Sequence, residues 1–98
     1  MKIALCTTTI HTPRALSVFR KMREDVRFFI AGDHKTPIEA ARFFAALSNT
    51  LYLPVSAQLH WKCSPLLGFD CIQRRNIAAL EALKDGADAL IFWDDDNL

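Results

Sequence analysis

Residues 71–97 read CIQRRNIAALEALKDGADALIFWDDDN and carry three features in succession. The Ala- and Leu-rich stretch to Lys84 is the clearest helix in the chain, and Lys84 followed by Gly86 is the sort of ending that helix C-termini favour. Next comes ALIFW (Ala89–Trp93), a run with no polar residue, as expected for a parallel strand covered on both faces. It leads straight into three acids, Asp94, Asp95 and Asp96. Within the helix, Asn76 stands four before Leu80 and seven before Leu83, which predicts a place on the apolar face. A buried amide needs partners, so Asn76 is expected to hydrogen-bond a strand end.

The same alternation runs back to the start. KIALCTTT reads as a first strand ending in Thr7, Thr8 and Thr9. HTPRALSVFRKM reads as a helix with Thr12 as N-cap, Pro13 at the first helical position and Ala15, Val18, Phe19 and Met22 at helical spacing. VRFFIAGD is a second strand closed by Gly32 and Asp33, and TPIEAARFFAAL repeats the Thr-Pro helix start at Thr36 and Pro37. TLYLPV is a third strand, with Pro54 suited to an edge. From about Ser56 to Asp70 no period holds, and a long loop is expected, a length that in compact domains is often functional. This order predicts one α/β domain over residues 1–98, Rossmann-like, with a largely parallel four-stranded sheet and right-handed crossovers.

Composition narrows the function classes. The chain has 98 residues, 51% of them hydrophobic and 23% charged, which is one globular core rather than a disordered segment. A net charge of +1 gives no case for nucleic acid or an anionic membrane as partner. No run approaches the roughly 20 apolar residues of a membrane span. Thr7–Thr9 interrupt the apolar start as a signal peptide would not, so a cytoplasmic location is expected. Cys6, Cys63 and Cys71 form no CxxC pair, and reduced buried thiols are the expected state.

Polar groups close three of the predicted strands: Thr7–Thr9, Asp33 and Asp94–Asp96. In open α/β sheets, ligands gather beyond the carboxyl ends of the strands. Side chains alternate along a strand, so Asp94 and Asp96 should share a side and Asp95 oppose them. Two adjacent carboxylates repel unless a cation lies between them. Mn²⁺ or Mg²⁺ fits, because both accept carboxylate, phosphate and water oxygens. Such an ion would act as a Lewis acid toward a departing diphosphate. The bland alternative is a solvated loop, with Asp96 or Asn97 capping a further helix.

With these residues in hand, the chain resembles the nucleotide-binding half of a GT-A glycosyltransferase of the family 2 type. The resemblance rests on a first strand ending in Thr, a second ending in Asp33, the Arg-Asn pair Arg75-Asn76 early in a helix, the Gly-Ala-Asp turn Gly86-Ala87-Asp88, and the apolar strand entering D-x-D. It implies the strand order 3-2-1-4 in an incomplete GT-A domain. It implies further that Thr7, Thr8 and Thr9 line a nucleotide pocket and that Asp33 hydrogen-bonds the base. Arg75 and Asn76 would contact the nucleotide or hold the strand ends. Asp94 would lie near the ribose or the metal, and Asp96 would ligate the metal; the triplet leaves Asp95 open as an alternative ligand. The implied donor is a UDP- or GDP-linked sugar, with an unidentified acceptor.

The resemblance also implies strands and an acceptor region beyond the D-x-D. No residue presents itself as a base for an acceptor, so this chain alone is expected to be inactive. Either it is a truncated piece of a longer enzyme, or two copies pair through the open edge of strand 4. The rival readings are a binding module without turnover and a phosphoryl-transfer enzyme. The D-x-D of haloacid-dehalogenase-type phosphatases is similar, but there it follows the first strand.

Overall fold

A computed structural model describes residues 1–8, 15–34, 36–58, 61 and 75–93. Four strands, β1 (Ile3–Thr8), β2 (Arg27–Ala31), β3 (Thr50–Leu53) and β4 (Ala89–Phe92), form one sheet in the order β3-β2-β1-β4. Every pairing is parallel, with Cys6 opposite Phe29 on one side and Phe92 on the other. Helices α1 (Ala15–Met22) and α2 (Ile38–Ala46) follow β1 and β2, and α3 (Arg75–Lys84) precedes β4.

The alternation of side chains sorts the core into two layers. Leu5, Phe28 and Ile30 pack with Leu16 of α1 and with Ala40 and Phe44 of α2. Ala4, Cys6, Phe29 and Ala31 pack with Ile77, Ala78, Ala79 and Ala82 of α3. The chain steps outward from β1 through β2 to β3, then crosses back to the far side of β1. Right-handed crossovers therefore put α3 on the face opposite α1 and α2. This reversal sets a topological switch point between the carboxyl ends of β1 and β4.

Helix α3 ends as its sequence predicts. Gly86 has φ +88°, its N–H donates to Leu83 O at 3.0 Å, and Ala87 N–H donates to Ala82 O at 3.0 Å. These are the paired bonds of a Schellman end. The face it buries differs from expectation. Asn76 is exposed and so is Leu83, while the alanines face the sheet. Phe29 already fills that layer, so the helix approaches through small residues and turns its larger leucine outward.

Two other expectations are corrected. ALIFW is not covered on both faces: Ile91 and Phe92 are 46% and 47% exposed, and among the described residues β4 is the edge strand, bonded to β1 alone. Helix α2 begins at Ile38 rather than Pro37, and no side chain caps it. The Thr36 hydroxyl instead accepts the Asp33 N–H at 2.8 Å. Thr12 and Pro13 lie outside the described residues. So does most of the predicted loop, of which a 3₁₀ turn at Val55–Gln58 and Trp61 are described. Cys6 is buried and reduced, and burial pushes its thiol up to about 11; Cys63 and Cys71 are outside the described residues.

Candidate functional site

Among the described residues, the buried polar side chains are Thr7, Thr8, Arg20, Asp33 and Gln58. All but Arg20 stand at the carboxyl end of the sheet, so buried polarity is concentrated on one rim. Thr7 Oγ1 donates to Trp93 O at 2.6 Å, and Trp93 N–H donates to Cys6 O at 3.2 Å. These bonds carry the β1–β4 pairing one residue past the strand, across the switch point. Thr8 Oγ1 turns the other way and donates to Ala31 O at 2.7 Å. The β-branched threonines thus do two jobs: they suit a strand, and their hydroxyls tie β1 to both neighbours.

Asp33 follows β2 by two residues and is only 6% exposed. Its Oδ1 accepts the His34 N–H at 2.8 Å, and its backbone carbonyl accepts the Thr36 N–H at 3.1 Å. With the Thr36 hydroxyl on the Asp33 N–H, the acid sits in a closed turn. Gly32 makes that turn fit. A Cβ there would come within 2.5 Å of Tyr52 Oη. Burial raises the Tyr52 phenol above its ordinary pKa, against the lowering effect of its hydrogen bond with Thr36. On the neighbouring strand end, Gln58 is fully buried and its Nε2 donates to Gly32 O at 2.8 Å and Leu53 O at 2.9 Å.

Arg75 opens α3 and lays its guanidinium 5.0 Å from the centroid of the Phe92 ring, next to Trp93. Trp93 itself packs edge-on against Phe19 at 5.8 Å. The fold therefore brings Thr7, Thr8, Asp33 and Arg75 to one rim. Asn76 is on α3 too, but as an exposed side chain. Thr9, Asp94, Asp95 and Asp96 lie outside the described residues, and so the assigned metal ligands do as well. Among the described residues, no three His, Cys, Asp or Glu side chains come together to hold a metal. Also among them, no helix is long and apolar enough to cross a membrane.

Sequence reasoning missed Gln58 and Arg20. A glutamine in an aperiodic loop and an arginine late in an amphipathic helix both look solvated, and no pattern in a single sequence marks them as buried. No protein-family model matches the chain, and no curated protein matches it. The functional reading therefore rests on the rim.

Proposed function

We propose that this chain is the nucleotide-diphosphate-sugar-binding part of a metal-dependent glycosyltransferase of the GT-A type. The observation that carries the reading is the concentration of buried Thr7, Thr8, Asp33 and Gln58 at the carboxyl rim of a 3-2-1-4 sheet. That rim is where doubly wound sheets take nucleotides. In this reading Asp33 accepts a hydrogen bond from the base, and Thr7–Thr9 form the floor beneath the nucleoside. Arg75 brings positive charge toward the phosphates. Strand β4 points the chain at the same rim, and Asp94 and Asp96, with Asp95 as the alternative, would hold Mn²⁺ or Mg²⁺. Their hard carboxylate oxygens suit those ions. When bound, the ion would offset charge on a departing diphosphate. The donor is a UDP- or GDP-sugar; the acceptor is unidentified.

The partner at the β4 edge is, in this proposal, a second copy of the chain. Ala89–Phe92 carry no charge that would discourage edge pairing, and Ile91 and Phe92 stand half-exposed. A stable monomer at micromolar concentration by light scattering would rule this out.

The main test is titration calorimetry with UDP, with and without Mn²⁺. The wild type should bind more tightly with Mn²⁺, and Asp94→Ala with Asp96→Ala should remove that gain. Manganese-assisted affinity unchanged in the double variant would end the proposal. Adding a UDP-sugar release assay separates the rival: binding without release marks a module that holds the nucleotide and does not turn it over.

A further inference from the structure

The turn that presents Asp33 is held from two sides. On the α2 side, Thr36 takes the Asp33 N–H, and Tyr52 Oη presses on the space where any residue but Gly32 would place a Cβ. On the other side Gln58, fully buried, spans the ends of two strands with one amide nitrogen, bonding Gly32 O and Leu53 O. Gly32 N–H also donates to Leu53 O at 2.7 Å, so the Leu53 carbonyl receives both the ladder bond and the amide. An amide supplies two N–H donors in one plane, which is what two neighbouring carbonyls require. Leu53 O keeps the ladder bond in any case, so the amide matters most to the Gly32 carbonyl, whose residue is buried and for which a lost donor is costly. Gln58 therefore braces the Gly32 carbonyl against the end of β3, and with it the peptide that leads into the buried Asp33.

We propose that Gln58 is a positioning residue for base recognition: it holds the Gly32–Asp33 turn so that the Asp33 carboxylate meets an N–H donor of a nucleobase. This rests on the reading of the rim as a nucleotide site. The resemblance implies that the base at this acid is usually uracil, and the chemistry of a carboxylate agrees. A carboxylate accepts, so it favours a base that presents a ring N–H, as uracil does at N3. It favours cytosine less, because N3 there is an acceptor and only the N4 amine is left to donate. Gln58 touches neither base nor phosphate. Its influence is on how sharply the site tells these bases apart.

The readout is the ratio of CDP to UDP dissociation constants, measured by calorimetry on the full chain with Mn²⁺. Contacts to the ribose, diphosphate and ion are common to both ligands and cancel in the ratio. A general loss of stability weakens both alike, so a merely structural role leaves the ratio alone. The wild type should prefer UDP by roughly tenfold or more, the scale of one hydrogen bond to a charged group. Gln58→Met keeps the volume and removes both donors; its ratio should fall toward one while UDP still binds. Asp33→Asn should collapse the ratio in the same way.

A second variant covers the event that Gln58→Met does not fold. Gln58→Glu places a carboxyl there, which donates one O–H, enough for Gly32 O alone, and only while protonated. Its ratio should approach the wild-type value at the acid end of the folded range and fall as pH rises through its ionisation. At pH values where cytosine N3 stays unprotonated, the wild-type ratio should not move. An unchanged ratio in Gln58→Met, or a pH-independent wild-type ratio in Gln58→Glu, would overturn the role of Gln58 and leave the nucleotide reading standing. A wild type that binds neither nucleotide would sink both.

Discussion

The two ends of the sheet are closed in opposite ways. At the amino end, Arg20 does most of the work with one long cation. It is 6% exposed, and its guanidinium donates to Arg23 O at 2.9 Å, Glu24 O at 3.2 Å, Val26 O at 2.6 Å and Asn49 O at 3.1 Å. It also lies 3.8 Å over the Phe28 ring. Burial lowers its pKa more than Glu24 and Asp25 raise it. Asn49, at φ +51°, turns its carbonyl into this cluster. Nearby, Lys2 N–H bonds Asp88 Oδ2 at 2.8 Å and Lys2 Nζ bonds Asp85 O at 2.8 Å. The carboxyl end is closed by short neutral groups, two threonine hydroxyls and one glutamine amide, around a buried carboxylate. A long cation directed at four carbonyls has both terminal nitrogens committed to the fold, while its buried Nε has no partner among the described residues. At the carboxyl end the Thr7 and Thr8 hydroxyls reach carbonyls on either side of β1, and the Gln58 amide joins two more. The ends therefore differ in means: a charged clasp at one, neutral hydrogen bonds at the other.

That contrast can be broken most forcefully at Arg20. Arg20→Leu would remove the shared donor of four carbonyls, of which Asn49 O keeps the Phe28 N–H and Glu24 O the Asn49 amide, and should cost about 3 kcal/mol, a large share of a small domain's stability. Urea unfolding followed by circular dichroism would read it as a large drop in midpoint. A midpoint near wild type would mean the amino end is not held by this residue, and the clasp would be a misreading.

The carboxyl end should respond more gently. Thr7→Val keeps the β-branched shape and removes one bond to Trp93 O, for a loss of about 1 kcal/mol. Thr8→Val, which releases Ala31 O, should lose a similar amount. The two need not add, since the residues are chain neighbours and the Thr7 hydroxyl also lies 3.1 Å from Thr8 O. If either variant cost as much as Arg20→Leu, the rims would not differ in kind.

The smallest effect belongs to the exposed pair Arg23–Asp25, with contacts of 2.8 Å. The hydrogen bond from Arg23 is the largest cause holding the Asp25 carboxyl down at about 2, against an ordinary value of 3.8. A depressed folded-state pKa stabilises above the unfolded value and loses that stability as pH falls through the folded one. The difference between wild type and Asp25→Asn should therefore fade as pH falls from 3.8 toward about 2. Because the pair is in solvent, the difference should be slight throughout and vanish in molar salt. A difference that persisted in high salt would show that Asp25 belongs to the amino-end clasp rather than beside it.

Much of the fold was legible without coordinates. Apolar runs bounded by Thr, Gly and Asp marked the strands, and Gly86 marked the end of α3, because these signals are local and depend on a residue and its near neighbours. The resemblance supplied the strand order. The face of α3 was misjudged, since Asn76, Leu80 and Leu83 do lie together on a helix. Which stripe turns inward depends on the room left beside Phe29, and that is a property of the packed layers. Likewise, an uninterrupted apolar run such as ALIFW reads alike in the centre of a sheet and at its edge.

For the site, the chain's own order determined that threonines end β1, that an acid follows β2 and that three acids follow β4. Only the tertiary structure decided that the Thr7 and Thr8 hydroxyls bind backbone carbonyls on either side, that Asp33 is buried, and that Gln58 and Arg20 close opposite ends of the sheet. The physical reason is that element identity is written in local periodicity and turn chemistry. The partner of a buried polar group is chosen among carbonyls distant in sequence, 26 residues away for Gln58 and Gly32 and 86 for Thr7 and Trp93. Only packing brings these together.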